Sequence, residues 1–260
     1  MYTNQERNGV DDYQALSESM QRKIFESLMK DVDIDDSFKI IDVGCGTGNH
    51  SSILSKKVAS KGKVVGIDPI KERIALAEEM YGCHSPNLHF EEGSAVDCSK
   101  YGTDFDLAVS TNVLHFIPVH DRKDAFEGIF KCLKPGSVFV FASAASDNHN
   151  LSFLLKNISC YEQFSENYHP IPIDEAEKLL TKVGFKEVET KQVDVRLSMN
   201  DLDQFIRWVA CSIHVESYAG ILEKLREFCS SGVDLAPLYD EKGQVVYRHY
   251  DYYFGICKKL

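Results

Sequence analysis

Apolar and polar positions change period repeatedly along this chain, and each change predicts an element. Leu16, Met20, Ile24, Phe25 and Leu28 recur at helical spacing, which predicts an amphipathic arm helix over residues 14–30. Phe38, Ile40, Ile41 and Val43 then form a short apolar run that reads as a buried parallel strand, and a helix over Ser51–Ala59 follows. Val64, Val65, Gly66 and Ile67 read as a second strand ending in Asp68, ahead of a helix over Lys71–Met80 and a short strand over Leu88–Phe90. A fourth strand is expected over Asp106–Ser110 and a helix over Asp121–Leu133. The Lys134-Pro135-Gly136 turn should stop that helix, because proline disfavours a helical residue before it. Val138–Ala142 supplies strand five, and Glu175–Val183 a helix with Gly184 as left-handed cap and Phe185 as its apolar follower. Glu187–Val195 and Val246–Cys257 complete seven strands, so the expected fold is α/β, a doubly wound, mostly parallel seven-stranded sheet.

Two stretches, 144–172 and 197–244, do not belong to the minimal sheet. Both are rich in aromatic and aliphatic residues, among them Phe153, Leu154, Tyr161 and Phe164 in the first and Phe205, Trp208, Tyr218 and Phe228 in the second. Ligands of open α/β sheets bind at the carboxyl ends of the strands, so insertions after strands five and six could roof a substrate as helical lids. The alternative is helices that pack on one another.

The 260 residues contain no Pro/Gly/Ser-rich linker, repeat or low-complexity tract, which favours a single domain over 1–260 with insertions. A formal charge of −11 argues against a surface that binds phosphate backbones, and therefore against a nucleic-acid partner. The eight cysteines form no C-x-x-C pair and no regular spacing with the histidines, so no metal is expected and most should be reduced core residues. Met1–Asp12 is polar, and no run of about 18 apolar residues occurs, so the expectation is a protein of the cytosol without a membrane partner; it is expected as a monomer or homodimer, between which the sequence does not choose.

Candidate chemistry begins at Asp42-Val43-Gly44-Cys45-Gly46-Thr47-Gly48. Glycines between a strand and a helix let the backbone turn tightly against a ligand. Asp68 ends the next strand about 20 residues later, where a carboxylate can accept hydrogen bonds from two ribose hydroxyls. A dinucleotide fingerprint would require glycine at Asn49, so a nicotinamide enzyme is the weaker reading. The spelling instead resembles motif I of class I S-adenosylmethionine-dependent methyltransferases, which have a Rossmann-like sheet. That resemblance implies that Asp42 faces the amino-acid part of the cofactor, that Gly44, Cys45, Gly46 and Gly48 form its loop, and that Asp68 holds the ribose. It further implies cofactor contacts from Pro69, Asn112, Ala95 and Ser94, with Ser94 standing where such enzymes commonly carry an acid against the adenine. Asp97 could reach in instead, or serve as an ordinary cap.

On the acceptor side, Ser110-Thr111-Asn112-Val113-Leu114-His115-Phe116 begins where strand four ends and so lines the cleft. His115 could orient a carboxylate, act as a general base, or bond a backbone group beneath a helix. The aromatic run Tyr247, Tyr250, Tyr252, Tyr253 and Phe254 lacks basic interleaving except Arg248, which favours a core strand over a base-stacking platform.

Taken along nearly its whole length, the chain resembles the group containing juvenile hormone acid and trans-aconitate methyltransferases. The carriers are Tyr13 and Gln21 on the arm, motif I, Gly66-Ile67-Asp68, Phe105-Asp106-Leu107 running into Leu114-His115-Phe116, Val183-Gly184-Phe185, and the Tyr-rich ending. The resemblance implies that Gln21 sits where cofactor meets substrate and acts with His115 on the acceptor, and that Tyr13, Phe116 and Trp208 help line the substrate pocket. Phe116 stands where the group usually has tryptophan, which alters the pocket. The expected activity is methyl transfer from S-adenosylmethionine, leaving S-adenosylhomocysteine, to the carboxylate of a small apolar acid such as juvenile hormone acid or farnesoic acid. The alternatives are an amine or hydroxyl acceptor with His115 as base, or a cofactor-binding regulatory protein without catalysis.

Overall fold

A computed structural model describes residues 16, 21–58, 61–147, 149–212 and 217–260. Its sheet comprises β1 (Lys39–Val43), β2 (Lys63–Asp68), β3 (Leu88–Glu92), β4 (Phe105–Thr111), β5 (Leu133–Ala144), β6 (Lys186–Ser198) and β7 (Val246–Lys259). The strand order is β3-β2-β1-β4-β5-β7-β6, and the sheet is mostly parallel. The β3–β2, β2–β1, β1–β4 and β4–β5 pairings are all parallel, with Asp42 opposite both Gly66 and Val109. Chain order reverses between β1 and β4, so the crevice beyond their carboxyl ends is the expected ligand position in such a sheet.

Residues 21–28 are helical and are named α1. The arm helix expected over 14–30 thus lies partly outside the described residues, and Tyr13 lies wholly outside them. The remaining helices are α2 (Asn49–Val58), α3 (Lys71–Met80), α4 (Arg122–Cys132), α5 (Leu151–Asn157), α6 (Tyr161–Glu166), α7 (Ile173–Val183), α8 (Leu202–Ser212) and α9 (Tyr218–Ser230).

The described chain divides into two compact units. The larger contains Phe25–Ala145, His169–Gln192 and Tyr253–Leu260, and its core joins Ile41, Val43, Ile67, Phe126, Phe139, Phe141, Phe185 and Tyr253. Aliphatic and aromatic side chains buried to this degree each contribute about 2 kcal/mol through removal of apolar surface from water. The second unit contains Ser146–Tyr168 and Val193–Tyr252. Within it the two expected insertions pack on each other: Phe153 meets Phe228 with ring centroids 5.9 Å apart, and the Asn150 side chain donates to the Val246 carbonyl at 2.6 Å.

Helix α7 ends as its sequence predicts. Gly184 takes φ +125°, its amide donates to the Thr181 carbonyl, and the Phe185 amide reaches back to the Leu180 carbonyl at 3.1 Å. This is the paired bond pattern of a Schellman cap. The Lys134-Pro135-Gly136 segment differs from expectation. It is no separate turn ahead of strand five: β5 begins at Leu133, opposite Phe105, and pairing resumes at Leu107 with Val138. Burial of Leu133 holds the chain in the sheet, so the extra residues, with Gly136 at φ +85°, are absorbed as a bulge. The C-terminal aromatics form the core strand β7, where Tyr252 and Tyr253 are both buried.

Candidate active site

Strand β1 ends at Val43, and the loop that follows is tied to the end of β2 by main chain alone: the Gly44 and Cys45 amides donate to the Ile67 carbonyl at 2.7 and 2.9 Å. Gly44 has φ +77°, and a Cβ there would come within 2.1 Å of the Val113 side chain. Only glycine lets the segment after β4 close on this loop. Gly46 has φ +56°, and the space beside its Cα is open.

Two buried carboxylates flank the loop. Asp68, at the end of β2, accepts the Gly46 amide on Oδ2 at 3.0 Å and the Ile70 amide on Oδ1 at 2.9 Å. The Arg73 guanidinium stands 3.9 Å from Oδ2. Asp42 accepts the Ser51 hydroxyl at 2.6 Å. Burial pushes the Asp42 carboxyl up to about 6; the Ser51 hydrogen bond opposes the rise and the Asp68 charge adds to it. Burial, with Asp42 and Asp68 nearby, also pushes the Cys45 thiol well up, which makes it a packing group and not a nucleophile.

Beyond β3, the Gly93 amide donates to the Asp68 carbonyl at 3.1 Å, which draws the Ser94 segment to the end of β2. Ser94 is half-buried, Ala95 enters the core, and Pro69 is exposed. Asp97 turns outward to pair with Lys100 at 2.7 Å. At the end of β4, Asn112 takes φ +60°, a left-handed conformation that asparagine tolerates better than most residues. Its amide donates to the Ala142 carbonyl at 3.1 Å. The Thr111 hydroxyl lies 2.9 Å from His50 Nδ1, and the His50 ring stacks on Phe25 with centroids 4.3 Å apart.

The turn Leu114–Phe116 then buries His115 and leaves Phe116 43% exposed, with their ring centroids 4.6 Å apart. The main chain of this turn is clasped by the segment 169–171. The His169 amide donates to the His115 carbonyl at 2.6 Å and the Ile171 amide to the Ala144 carbonyl at 3.0 Å. Buried Arg122 holds the clasp, donating to the His169 and Pro170 carbonyls at 2.6 and 3.0 Å and to Glu175 at 2.7 Å.

The larger unit thus gathers Asp42, Gly44, Cys45, Gly46, Gly48, Asp68, Pro69, Ser94, Ala95, Asn112, His115 and Phe116. Two other expected site residues are described in the second unit. Gln21 is half-buried in α1, and Trp208 is buried in α8 against Phe205 and Tyr247, with centroids at 6.0 and 4.9 Å. Sequence reasoning missed Ser51, His50, Ser143 and Arg122, and placed Thr111 in the cleft segment without its partner. Their partners lie on other elements, and neither helical nor strand periodicity marks such pairs.

Residues 34–184 match the methyltransferase domain family. The chain is 27% identical over 204 residues to O-methyltransferase resE of Aspergillus sclerotiorum, covering 76% of this chain and 72% of that one. It is 27% identical over 198 residues to O-methyltransferase cnsE of Penicillium expansum, covering 72% and 68%. Among solved structures, the YcgJ protein of Bacillus subtilis superposes with a TM-score of 0.62 at 12% identity, covering 92% of this chain and 99% of that one. Phosphoethanolamine N-methyltransferase 2 of Haemonchus contortus, solved with S-adenosyl-L-methionine, gives 0.60 at 14% identity, covering 96% and 56%.

The residues of the loop fit that cofactor class. Two buried carboxylates that repel each other favour a cationic ligand, which a sulfonium with an ammonium group is. The face of Gly46 beside Asp68 is open, with no atom within 4 Å of where a Cβ would stand, so a ligand can approach the backbone there. With more than half of its length matched and this geometry at its glycine loop, the chain belongs to the methyltransferase domain family, as a class I S-adenosylmethionine-dependent methyltransferase.

Proposed function

We propose that this enzyme methylates the carboxylate of a small apolar acid, of the juvenile hormone acid or farnesoic acid kind. One observation carries the reading: the turn after β4 presents a buried imidazole, His115, directly beside an exposed aromatic ring, Phe116. A single polar group next to an apolar surface suits a molecule with one polar head and a hydrocarbon body.

When bound, S-adenosylmethionine supplies the methyl group on a sulfonium. Asp42 and Asp68 hold and orient it, and the loop amides fix Asp68 in place. A carboxylate with a pKa near 4 is already ionised at neutral pH, so alignment and exclusion of water suffice without a base. The fungal relatives named as O-methyltransferases support oxygen as the acceptor atom. Gln21, Tyr13 and Trp208 keep the acceptor-side roles implied by the family resemblance as part of this proposal. So do the site of action in the cytosol, the monomeric or homodimeric state, and a small molecule in place of nucleic acid as partner. The net charge of −11 supports the last of these.

The test is turnover with labelled S-adenosylmethionine on a panel of apolar acids, phenols and amines, followed by mild alkali. Label released as methanol from an acid product is the expected result. An alkali-stable product formed only from a phenol or an amine would sink the carboxylate reading, and cofactor binding without any product would favour a regulatory protein.

A further inference from the structure

The hydrogen bonds around His115 decide which of its two nitrogens carries a proton. His115 Nδ1 accepts the Ala144 amide at 3.2 Å, and the Ser143 hydroxyl lies 3.3 Å from the same nitrogen. A backbone amide can only donate, so Nδ1 presents its lone pair to it. Ser143 is fully buried at the end of β5. Its hydroxyl can rotate to donate as well, sharing that lone pair. Ala144 itself cannot drift away, because its carbonyl is bonded to the Ile171 amide in the segment that also binds the His115 carbonyl.

We infer that the Ala144 amide holds His115 as the neutral Nε2–H tautomer, a hydrogen-bond donor and not a base, with the Ser143 hydroxyl adapting to the same nitrogen. The inference rests on the proposed function and narrows it. A base at Nε2 would need the proton on Nδ1, where it would confront the Ala144 N–H donor to donor inside a buried site. The donor form selects an acceptor that offers oxygen lone pairs and has no proton to lose. In a carboxylate, one oxygen can accept the Nε2–H bond while the other receives the methyl group. A neutral phenol or alcohol would need its proton removed, and nothing in this arrangement lets His115 take it.

The tautomer can be read without any substrate. Histidine-selective 15N NMR on the intact protein, with the His115 signals assigned by their loss in His115→Gln, should show an unprotonated Nδ1 and a protonated Nε2. Ser143→Ala keeps the Ala144 amide on Nδ1 and should leave this pattern unchanged, and a mixture of tautomers in that variant would show that the amide does not set it. His115→Gln places an amide donor close to the Nε2 position and should retain turnover within about tenfold. His115→Ala should lose about 10- to 100-fold, the range expected when one donor to a charged oxygen is removed. A protonated Nδ1 in the folded wild-type protein would overturn the inference, as would His115→Gln being as inactive as His115→Ala while still binding cofactor. An alkali-stable product together with the Nε2–H tautomer would refute the carboxylate reading and leave the tautomer assignment standing. An alkali-labile ester together with a protonated Nδ1 would do the reverse.

Discussion

The Ser51 hydroxyl donates to the Asp42 carboxylate at 2.6 Å, and both groups are sealed from water. Hydrogen bonding from Ser51 is too weak to offset the burial of a carboxylate beside a second one, so the Asp42 carboxyl is pushed up to about 6. Because the folded-state value is raised, the stability tied to protonated Asp42 is present at low pH and is lost as pH rises through about 6. The ionised form costs the apo fold about 3 kcal/mol at neutral pH, since each tenfold change in proton affinity corresponds to about 1.4 kcal/mol. A cationic cofactor reverses that cost. Affinity for S-adenosylmethionine should therefore rise with pH through about 6 and level off above it. Asp42→Asn should leave the apo melting temperature at pH 7.5 unchanged or higher, weaken cofactor at least about tenfold, and flatten the pH dependence. Titration calorimetry between pH 5 and 8 decides this, and a flat wild-type profile would refute it.

The two Asp68 carboxylate oxygens accept the Gly46 and Ile70 amides, and in the proposed site the same oxygens would receive the ribose hydroxyls. Asp68→Ala removes both acceptors and should weaken cofactor by about 100-fold while also loosening the loop. Asp68→Asn keeps one acceptor and should cost less stability but still weaken cofactor by about tenfold or more. Arg73 stands 3.9 Å from the Asp68 carboxylate with a side chain 20% exposed. Equal cofactor affinity in Asp68→Ala and wild type would remove Asp68 from the site.

Arg122 is 3% exposed and binds two carbonyls and a carboxylate. Arg122→Ala strips partners from the 169–171 clasp and should destabilise the larger unit by about 3 kcal/mol in chemical denaturation. The same variant should speed amide exchange at His169 and Ile171, whose hydrogen bonds reach His115 and Ala144. Unchanged exchange at these two amides would show that the clasp holds without Arg122.

In the second unit, burial would raise the Asp147 carboxyl, but hydrogen bonds from His149, Tyr161 and Ser152 outweigh it and hold the group at about 2. The His149 and Ser152 bonds are 2.8 and 2.9 Å long. A lowered folded-state value means that this stability is present above about 4 and is lost as pH falls towards 2. Asp147 is only half-buried, so solvent screening reduces the effect. Asp147→Asn should make residues 149–168 more susceptible to limited proteolysis at pH 7 and remove the acid dependence of that susceptibility. Identical digestion of variant and wild type at both pH 7 and pH 3 would count against the pin.

Strand and helix boundaries around the glycine loop were legible because each rests on local signals: an apolar run, a glycine cluster, a terminal acid. Helix α3 spans Lys71–Met80 as expected, and the Gly184 cap follows from one residue type at one position. The bulge at Lys134-Pro135-Gly136 was not legible, since it depends on Leu133 finding Phe105 across the sheet. Asp97 was ambiguous for the same reason: only its position next to Lys100 on the surface shows where it points.

The sequence alone determined the sheet and the glycine loop and marked Asp42 and Asp68 as the candidate acids beside it, because strand period, backbone freedom and the spacing of a βαβ unit are properties of neighbouring residues. The tertiary structure alone decided the state of those groups. Asp42 is pushed up to about 6 because it is buried, with the Asp68 charge adding to the rise against the Ser51 hydrogen bond, and His115 is turned towards donation because the Ala144 amide, on β5, occupies its Nδ1. Protonation depends on burial and on partners brought together from distant parts of the chain, and no pattern along the sequence encodes either.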